Sequence, residues 1–331
     1  MKALVLTGKN ETMVVQERVD LVAGEGEAIV AVRAAALNHR DLWIQQGQYA
    51  GLRYPIIPGA DGAGIVCEGA GAWTGKEVII NPSINWGASP THQDPRDFKI
   101  LGLPDDGTFA ELVKVPSSAL FEKPGHLSFE EAAALPLAGL TAFRALFTRA
   151  GLQSGETVLI TGIGGGVALF ALRYALAAGA RVFVSSGDDE KIARAVALGA
   201  HGGVNYKRSD WGKALQEIAG SFDVIVDGAA GDGMDELLNL ARPGGRLVFY
   251  GATRGNPSSL TARRIFWKQL TIFGSTMGSP DDFLAMTNFI NRHGIRPVVD
   301  SVFPFEEGDA ALRHMEDARQ FGKIVIKISN P

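Results

Sequence analysis

Thr157-Val158-Leu159-Ile160, an apolar run with β-branched members, leads into Thr161-Gly162-Ile163-Gly164-Gly165-Gly166-Val167-Ala168. The chemistry this order can perform is anion binding. Glycines let the backbone approach a phosphate, and the free N–H groups of a helix start would point at its charge. The pattern G-x-G-x-x-G/A fits in two ways. Begun at Gly162 it ends on Val167; aligned on Gly165 and Ala168 it begins at Ile163. Gly164, Gly165, Gly166 and Val167 are the expected pyrophosphate cradle; alternatively the loop is a structural strand-to-helix turn without a ligand. A helical pattern (Leu169, Leu172, Leu176) follows, then Gly179-Ala180 and a second strand, Arg181-Val182-Phe183-Val184-Ser185-Ser186. This is a βαβ unit of the expected length.

The end of the second strand bears on which dinucleotide fits. NAD-binding units usually carry an acidic residue there for the ribose 2′-OH. Here the residues are Ser185-Ser186-Gly187, with Lys191 just beyond. Serine hydroxyls and a lysine suit a 2′-phosphate, so NADPH is expected over NADH. Asp188 and Asp189 are the counter-argument, since another register would bring a carboxylate to the ribose. The alternative makes Asp188-Asp189-Glu190 the charged start of a helix, favoured by the helix dipole.

The elements that position this loop need a chain of sufficient length. At 331 residues there is room for two domains with sizeable cores. A formal charge of −4 without a dense Lys/Arg run argues against a nucleic-acid surface. No apolar stretch approaches the roughly 18 residues a membrane helix requires. Met1-Lys2-Ala3-Leu4-Val5-Leu6 turns polar at Thr7 and reads as a first strand, not a leader. The single cysteine, Cys67, excludes an intramolecular disulfide and a cysteine-cluster zinc site; within Gly64-Ile65-Val66-Cys67-Glu68 it is expected to be a core thiol. A reducing, cytoplasmic location is compatible with this.

Residues 1 to about 120 read mostly as β-structure, with strands at Ala28-Ile29-Val30-Ala31-Val32-Arg33-Ala34 and Glu77-Val78-Ile79-Ile80-Asn81. Segment 85–106 is rich in Pro, Gly and Asp and is expected to be a long loop. Ser128 and Glu131 form a capping box where helical character begins. Strands and helices then alternate, including 222–228 and 245–251, as in a doubly wound parallel sheet. A strand at 270–273, a helix near 281–292 and a closing strand at 323–328 complete the chain.

Asn38-His39-Arg40-Asp41-Leu42, Pro58-Gly59-Ala60-Asp61-Gly62-Ala63-Gly64, Gly107-Thr108-Phe109-Ala110-Glu111, Leu140-Thr141-Ala142 and the cofactor loop carry one further signal. Together they resemble the medium-chain dehydrogenase/reductase superfamily over essentially the whole length. The resemblance implies an α/β protein: a GroES-like β-rich catalytic domain (1–122 and 268–331) and a Rossmann NADPH-binding domain with a doubly wound parallel sheet (123–267). Where zinc alcohol dehydrogenases of that superfamily place their catalytic ligands, this chain has Asn38, Ala60 and, near the third position, Leu137. Alanine and leucine cannot coordinate a metal, and an asparagine amide is a poor zinc ligand. The four cysteines of a structural zinc lobe are also missing, so His92, Asp94 and Asp97 read as part of a solvated loop. No metal is expected.

The pattern is similar to the zinc-free quinone oxidoreductase and enoyl reductase branch, where Asn38, Asp41 and Tyr49 match N-x-x-D and the tyrosine of Gly47-Gln48-Tyr49. It departs from many quinone oxidoreductases in carrying Trp43 where they have a tyrosine. The resemblance implies hydride addition to a conjugated acceptor, with hydrogen-bond donors on the enolate-like oxygen and a proton from tyrosine or water. Tyr49 would donate that proton or position substrate; alternatively it is a loop aromatic. Asn38 would bind a carboxamide, or cap a helix starting at His39. Asp41 would orient a neighbour, or merely begin that helix.

On the cofactor side, Ser185, Ser186, Lys191 and Tyr206 would surround the adenosine phosphate, Thr141 would approach the nicotinamide, and Gly251, Thr253 and residues 274–277 would form lips of the cleft. Phe266-Trp267-Lys268 would add an apolar substrate wall or pack between domains. The partner expected is a small conjugated carbonyl or quinone, and the resemblance implies a homodimer or homotetramer built on sheet edges such as 270–274. Two other readings stay open: an NADPH-binding sensor or docking protein with little catalysis, and an alcohol dehydrogenase-like carbonyl reductase.

Overall fold

The computed structural model describes residues 1–69 and 71–328 of the chain. Contacts divide it into two units, Met1–Leu140 with Gly278–Pro331, and Thr141–Met277. These boundaries fall later than the expected 122/123 and 267/268. The capped helix Phe129–Ala133 packs on the strands Glu27–Ala36 and Asp61–Gly69 of the first unit, and Thr271–Gly274 is the last strand of the second unit's sheet.

In the first unit a sheet runs in the order Val299–Pro304, Lys323–Lys327, Glu27–Ala36, Asp61–Gly69, Glu77–Ile80, Leu120–Glu122, and Leu112–Pro116 also pairs with Glu27–Ala36. All of these pairings are antiparallel except Val299–Pro304 with Lys323–Lys327. The core on this sheet includes Leu4, Val30, Val32, Val66, Val78, Ile80, Phe109, Ile324 and Ile326, all buried. Each such side chain contributes on the order of 1.5–3 kcal/mol of transfer free energy. Gly59 and Gly107 mark a close backbone approach: a Cβ on Gly107 would sit 2.0 Å from the Gly59 carbonyl oxygen. The helix Pro280–His293 begins at Ser279, which forms a capping box with Asp282, and stops at the left-handed Gly294.

Cys67 corrects an expectation. It lies in the strand Asp61–Gly69 as read, but on an outward position, and its side chain is exposed. Alternation along the strand buries Val66 and turns Cys67 outward. Partial burial still pushes the thiol pKa up, with the Glu68 charge adding to it, so it is a poor nucleophile.

The second unit is a six-stranded, wholly parallel sheet in the order Gly202–Asn205, Arg181–Ser186, Thr157–Ile160, Phe222–Asp227, Ala241–Phe249, Thr271–Gly274. This is the doubly wound order, reversing beside Thr157–Ile160, the place where sheets of this order take ligands at the carboxyl ends of their strands. Thr157–Ile160 is buried throughout. The fifth strand begins earlier than expected. Arg242-Pro243-Gly244-Gly245 looks like a turn, yet it is absorbed by a register shift between Phe222 and Val224 on the partner strand. Lys268 ties this region together by donating to the carbonyls of Leu238, Asn239 and Ala241. Phe266 and Trp267 are 66% and 75% exposed.

Candidate functional site

Asn38 is the N-cap of the helix His39–Gln45, and Asp41 reaches back to accept from its backbone N–H at 2.8 Å, forming a capping box. The Asn38 side chain does something else as well. Its Oδ1 accepts from Lys323 Nζ at 2.6 Å, and its Nδ2 donates to Asp61 Oδ2 at 2.9 Å. Lys323 also donates to the Leu37 carbonyl at 2.7 Å and to Asp61 Oδ2 at 2.9 Å, so its three N–H groups meet three acceptors. Asp61 Oδ1 accepts from the Leu137 backbone N–H at 2.7 Å. Asp61 is fully buried and Lys323 is 4% exposed. The result is a closed, neutral-overall network that fixes the Asn38 amide plane and leaves its second Nδ2–H without an acceptor among the described residues.

Asp41 is fully buried, and its Oδ1 has no hydrogen-bond partner. Burial pushes its carboxyl up to about 6, against the opposing pull of Arg40, the Asn38 N–H and Lys323. Arg40, 5% exposed, donates to the Leu101 carbonyl at 2.6 Å and more weakly to Ile100 at 3.4 Å. Its guanidinium lies 5.0 Å from the centroid of the Tyr49 ring, with Nε 3.5 Å from the phenolic oxygen. Asn38 and Asp41 are thus joined directly, and Tyr49 is linked to them through Arg40, the residue next to Asp41.

In the second unit Gly162 (φ +63°) and Gly164 (φ +120°) occupy the right-hand side of the backbone map, which favours the alignment beginning at Gly162. Gly165 is the N-cap of the helix Gly166–Ala177, so the N–H groups of Gly166 and Val167 have no intrahelical acceptor. A Cβ on Gly162 would meet nothing within 4 Å, and one on Gly165 only a carbonyl at 3.8 Å. Open space, free donors and a helix N-terminus fit a pyrophosphate.

Ser185 and Ser186 are buried at the end of Arg181–Ser186. Asp188 caps the helix Asp189–Ala197 by accepting from the Glu190 N–H at 2.9 Å, and Asp189 accepts from Asn205 Nδ2 at 3.1 Å. Both carboxylates therefore have structural partners. The Lys191 stem packs over Gly164. Thr253 lies exposed with its hydroxyl 3.4 Å from the Gly228 carbonyl, Gly251 packs against that same carbonyl, and Thr141 is buried in the helix Pro136–Phe143.

Two family models match the chain: the alcohol dehydrogenase GroES-like domain over residues 24–125 and the zinc-binding dehydrogenase domain over 166–292. A relative from Leptosphaeria maculans, the zinc-type alcohol dehydrogenase-like protein YogA, is 38% identical, covering 92% of this chain and 91% of its own. The chain belongs to the medium-chain dehydrogenase/reductase superfamily. This medium-chain dehydrogenase/reductase is also similar to the acryloyl-coenzyme A reductase of Metallosphaera sedula, at 30% identity over 98% and 99% of the two chains. A solved NAD-dependent alcohol dehydrogenase superposes with a TM-score of 0.93 at 36% identity, covering 99% and 100%.

The zinc in two of those names can be tested against the residues of this oxidoreductase. Asn38 Oδ1 already holds a lysine nitrogen, Ala60 offers no donor, and Leu137 contributes only its backbone to Asp61. No cluster of three or more His, Cys, Asp or Glu able to hold a metal occurs among the described residues. His92 bonds a neighbouring carbonyl, and Asp94 accepts from the N–H groups of Arg96 and Asp97, as loop residues do. These residues do not fit zinc. Sequence reasoning gave no role to Lys323, Asp61 or Arg40. Lys323 carried no signal, since 285 residues separate it from Asn38. Asp61 could have been noticed as the acid following the vacant ligand position Ala60.

Proposed function

We propose that this oxidoreductase reduces quinones or α,β-unsaturated carbonyl compounds with NADPH and without zinc. The observation that carries the proposal is the Lys323–Asn38–Asp61 network, which commits the Asn38 oxygen to a lysine, while the other two ligand positions are Ala60 and Leu137. Without a Lewis acid, reduction of a simple carbonyl loses its usual electrostatic support. A conjugated acceptor spreads the developing charge, so neutral hydrogen-bond donors suffice.

NADPH, when bound, supplies a hydride. Gly164, Gly165, Gly166 and Val167 would hold its pyrophosphate, Ser185, Ser186, Lys191 and Tyr206 its phosphorylated ribose, and Thr141, Gly251 and Thr253 its nicotinamide end. Asn38 would direct its uncommitted Nδ2–H at the substrate oxygen that gains charge, and its rigid amide plane lowers the cost of orienting that donor. Tyr49, held on Arg40, would deliver the proton or position the acceptor, and Asp41 would fix the backbone of Asn38. The acryloyl-coenzyme A reductase relative supports a conjugated thioester as one acceptor class.

The names of the relatives at higher identity favour an alcohol dehydrogenase-like carbonyl reductase instead. One experiment separates the two: NADPH oxidation by chelator-treated protein against quinones, enones, enoyl thioesters and simple aldehydes, with NADH in parallel. The proposal requires turnover of conjugated acceptors and not of aldehydes. Stoichiometric zinc, or aldehyde reduction lost on chelation, would transfer the protein to the second reading.

A further inference from the structure

Tyr206 follows the edge strand Gly202–Asn205, and its hydroxyl sits 2.8 Å from where a Cβ of Gly187 would be, at the end of the serine-bearing strand. The guanidinium of Arg254 lies 5.1 Å from the centroid of the Tyr206 ring. Arg254 comes from the loop after Ala241–Phe249, on the far side of the sheet's midline. Its loop is pinned back across the strand ends: Arg254 N–H donates to the Ala229 carbonyl at 2.9 Å, and Gly231 N–H to the Gly255 carbonyl at 2.9 Å. The side chain of Lys207 passes over Gly187, with Cε 2.9 Å from the same Cβ position.

Neither Arg254 nor Lys207 has a carboxylate partner among the described residues, whereas the nearby acids Asp188 and Asp189 are engaged by the backbone and by Asn205. Two unpaired cations and an aromatic face therefore converge on the strand end that sequence reasoning assigned to the ribose. The ring face holds the guanidinium by a cation–π contact that uses none of its N–H donors, and a guanidinium fork can bind phosphate in a bidentate fashion.

We infer that Arg254, with Tyr206 as its platform and Lys207 beside it, reads the 2′-phosphate of NADPH and sets cofactor choice. The inference rests on the NADPH reading above. It adds a residue from the opposite half of the sheet that the glycine-loop pattern does not include.

Dissociation constants of NADPH and NADH for the whole chain, measured by fluorescence titration, test it without turnover. Adenosine 2′,5′-bisphosphate serves as a competitor. Arg254→Gln is expected to weaken NADPH and the bisphosphate roughly ten- to a hundredfold, the size of a charge-assisted bond to phosphate, and NADH less than threefold. Arg181→Gln, an arginine over Phe183 at the other end of the serine-bearing strand, should change neither. If the unaltered protein prefers NADPH and Arg254→Gln keeps that preference, or weakens both cofactors equally, the inference is overturned while the NADPH reading stands. Equal affinity of the unaltered protein for the two cofactors removes the NADPH reading and the inference with it.

Discussion

Asn38 starts a helix, one of its two sequence readings, and is also the polar centre of a buried network that the sequence did not suggest. Removing Lys323 would strand the Asp61 charge, and Lys323→Met should destabilise the first unit by about 3–5 kcal/mol in denaturant unfolding. A loss below about 1 kcal/mol would mean the pair is not buried as described. Asp41 makes a different prediction. Its folded carboxyl, pushed up to about 6, lies above the ordinary value, so between pH 4 and 6 the native state binds more protons than the unfolded chain. Stability should therefore fall as pH rises through that window and level off above it. Asp41→Asn should flatten the profile, by on the order of 1–3 kcal/mol across the window; identical pH–stability curves for the two proteins would refute the assignment. Tyr49→Phe should cut turnover of enones, which need a proton, more than that of quinones. Retained enone turnover would take Tyr49 out of the acid role.

At the scale of elements, the glycine loop was legible because strand, turn and helix follow each other within one short segment. What the pattern left open was its alignment, and backbone conformation favours the one begun at Gly162. Gly162 sits in the ordinary left-handed region, where alanine costs roughly 1–2 kcal/mol. Gly164, at φ +120°, lies where residues with a Cβ are rarely found, and the Lys191 stem crowds it from outside. Gly164→Ala should thus weaken NADPH binding more than Gly162→Ala; the reverse order would reject this division of roles. The strand Ala241–Phe249 illustrates the opposite case. Proline and glycines inside it look like punctuation, and only pairing with the neighbouring strand turns them into a bulge.

For the whole molecule, the family supplies the two-unit plan and the oxidoreductase class, and no helix among the described residues is long and apolar enough to cross a membrane. Names of relatives do not carry the metal across, because coordination depends on a few donor atoms that can be lost while the fold persists. Exhaustive chelation should leave the melting temperature and the turnover of conjugated acceptors unchanged, with zinc well below one per chain. A chelator-induced drop in melting temperature would contradict the metal-free reading.

The sequence by itself determined the parallel sheet, the glycine-rich turn and the residue types Asn38, Ala60 and Leu137 at the ligand positions, because each depends on local order or on residue type alone. It could not determine what surrounds Asn38. Lys323, Asp61 and Asn38 meet only when the closing strand pairs antiparallel with Glu27–Ala36, and Cys67 faces outward only because Asp61–Gly69 takes the register it does. Arg254 reaches Tyr206 through loops pinned across the strand ends. Contacts between residues tens to hundreds of positions apart are set by strand pairing and packing, which the tertiary structure alone decides.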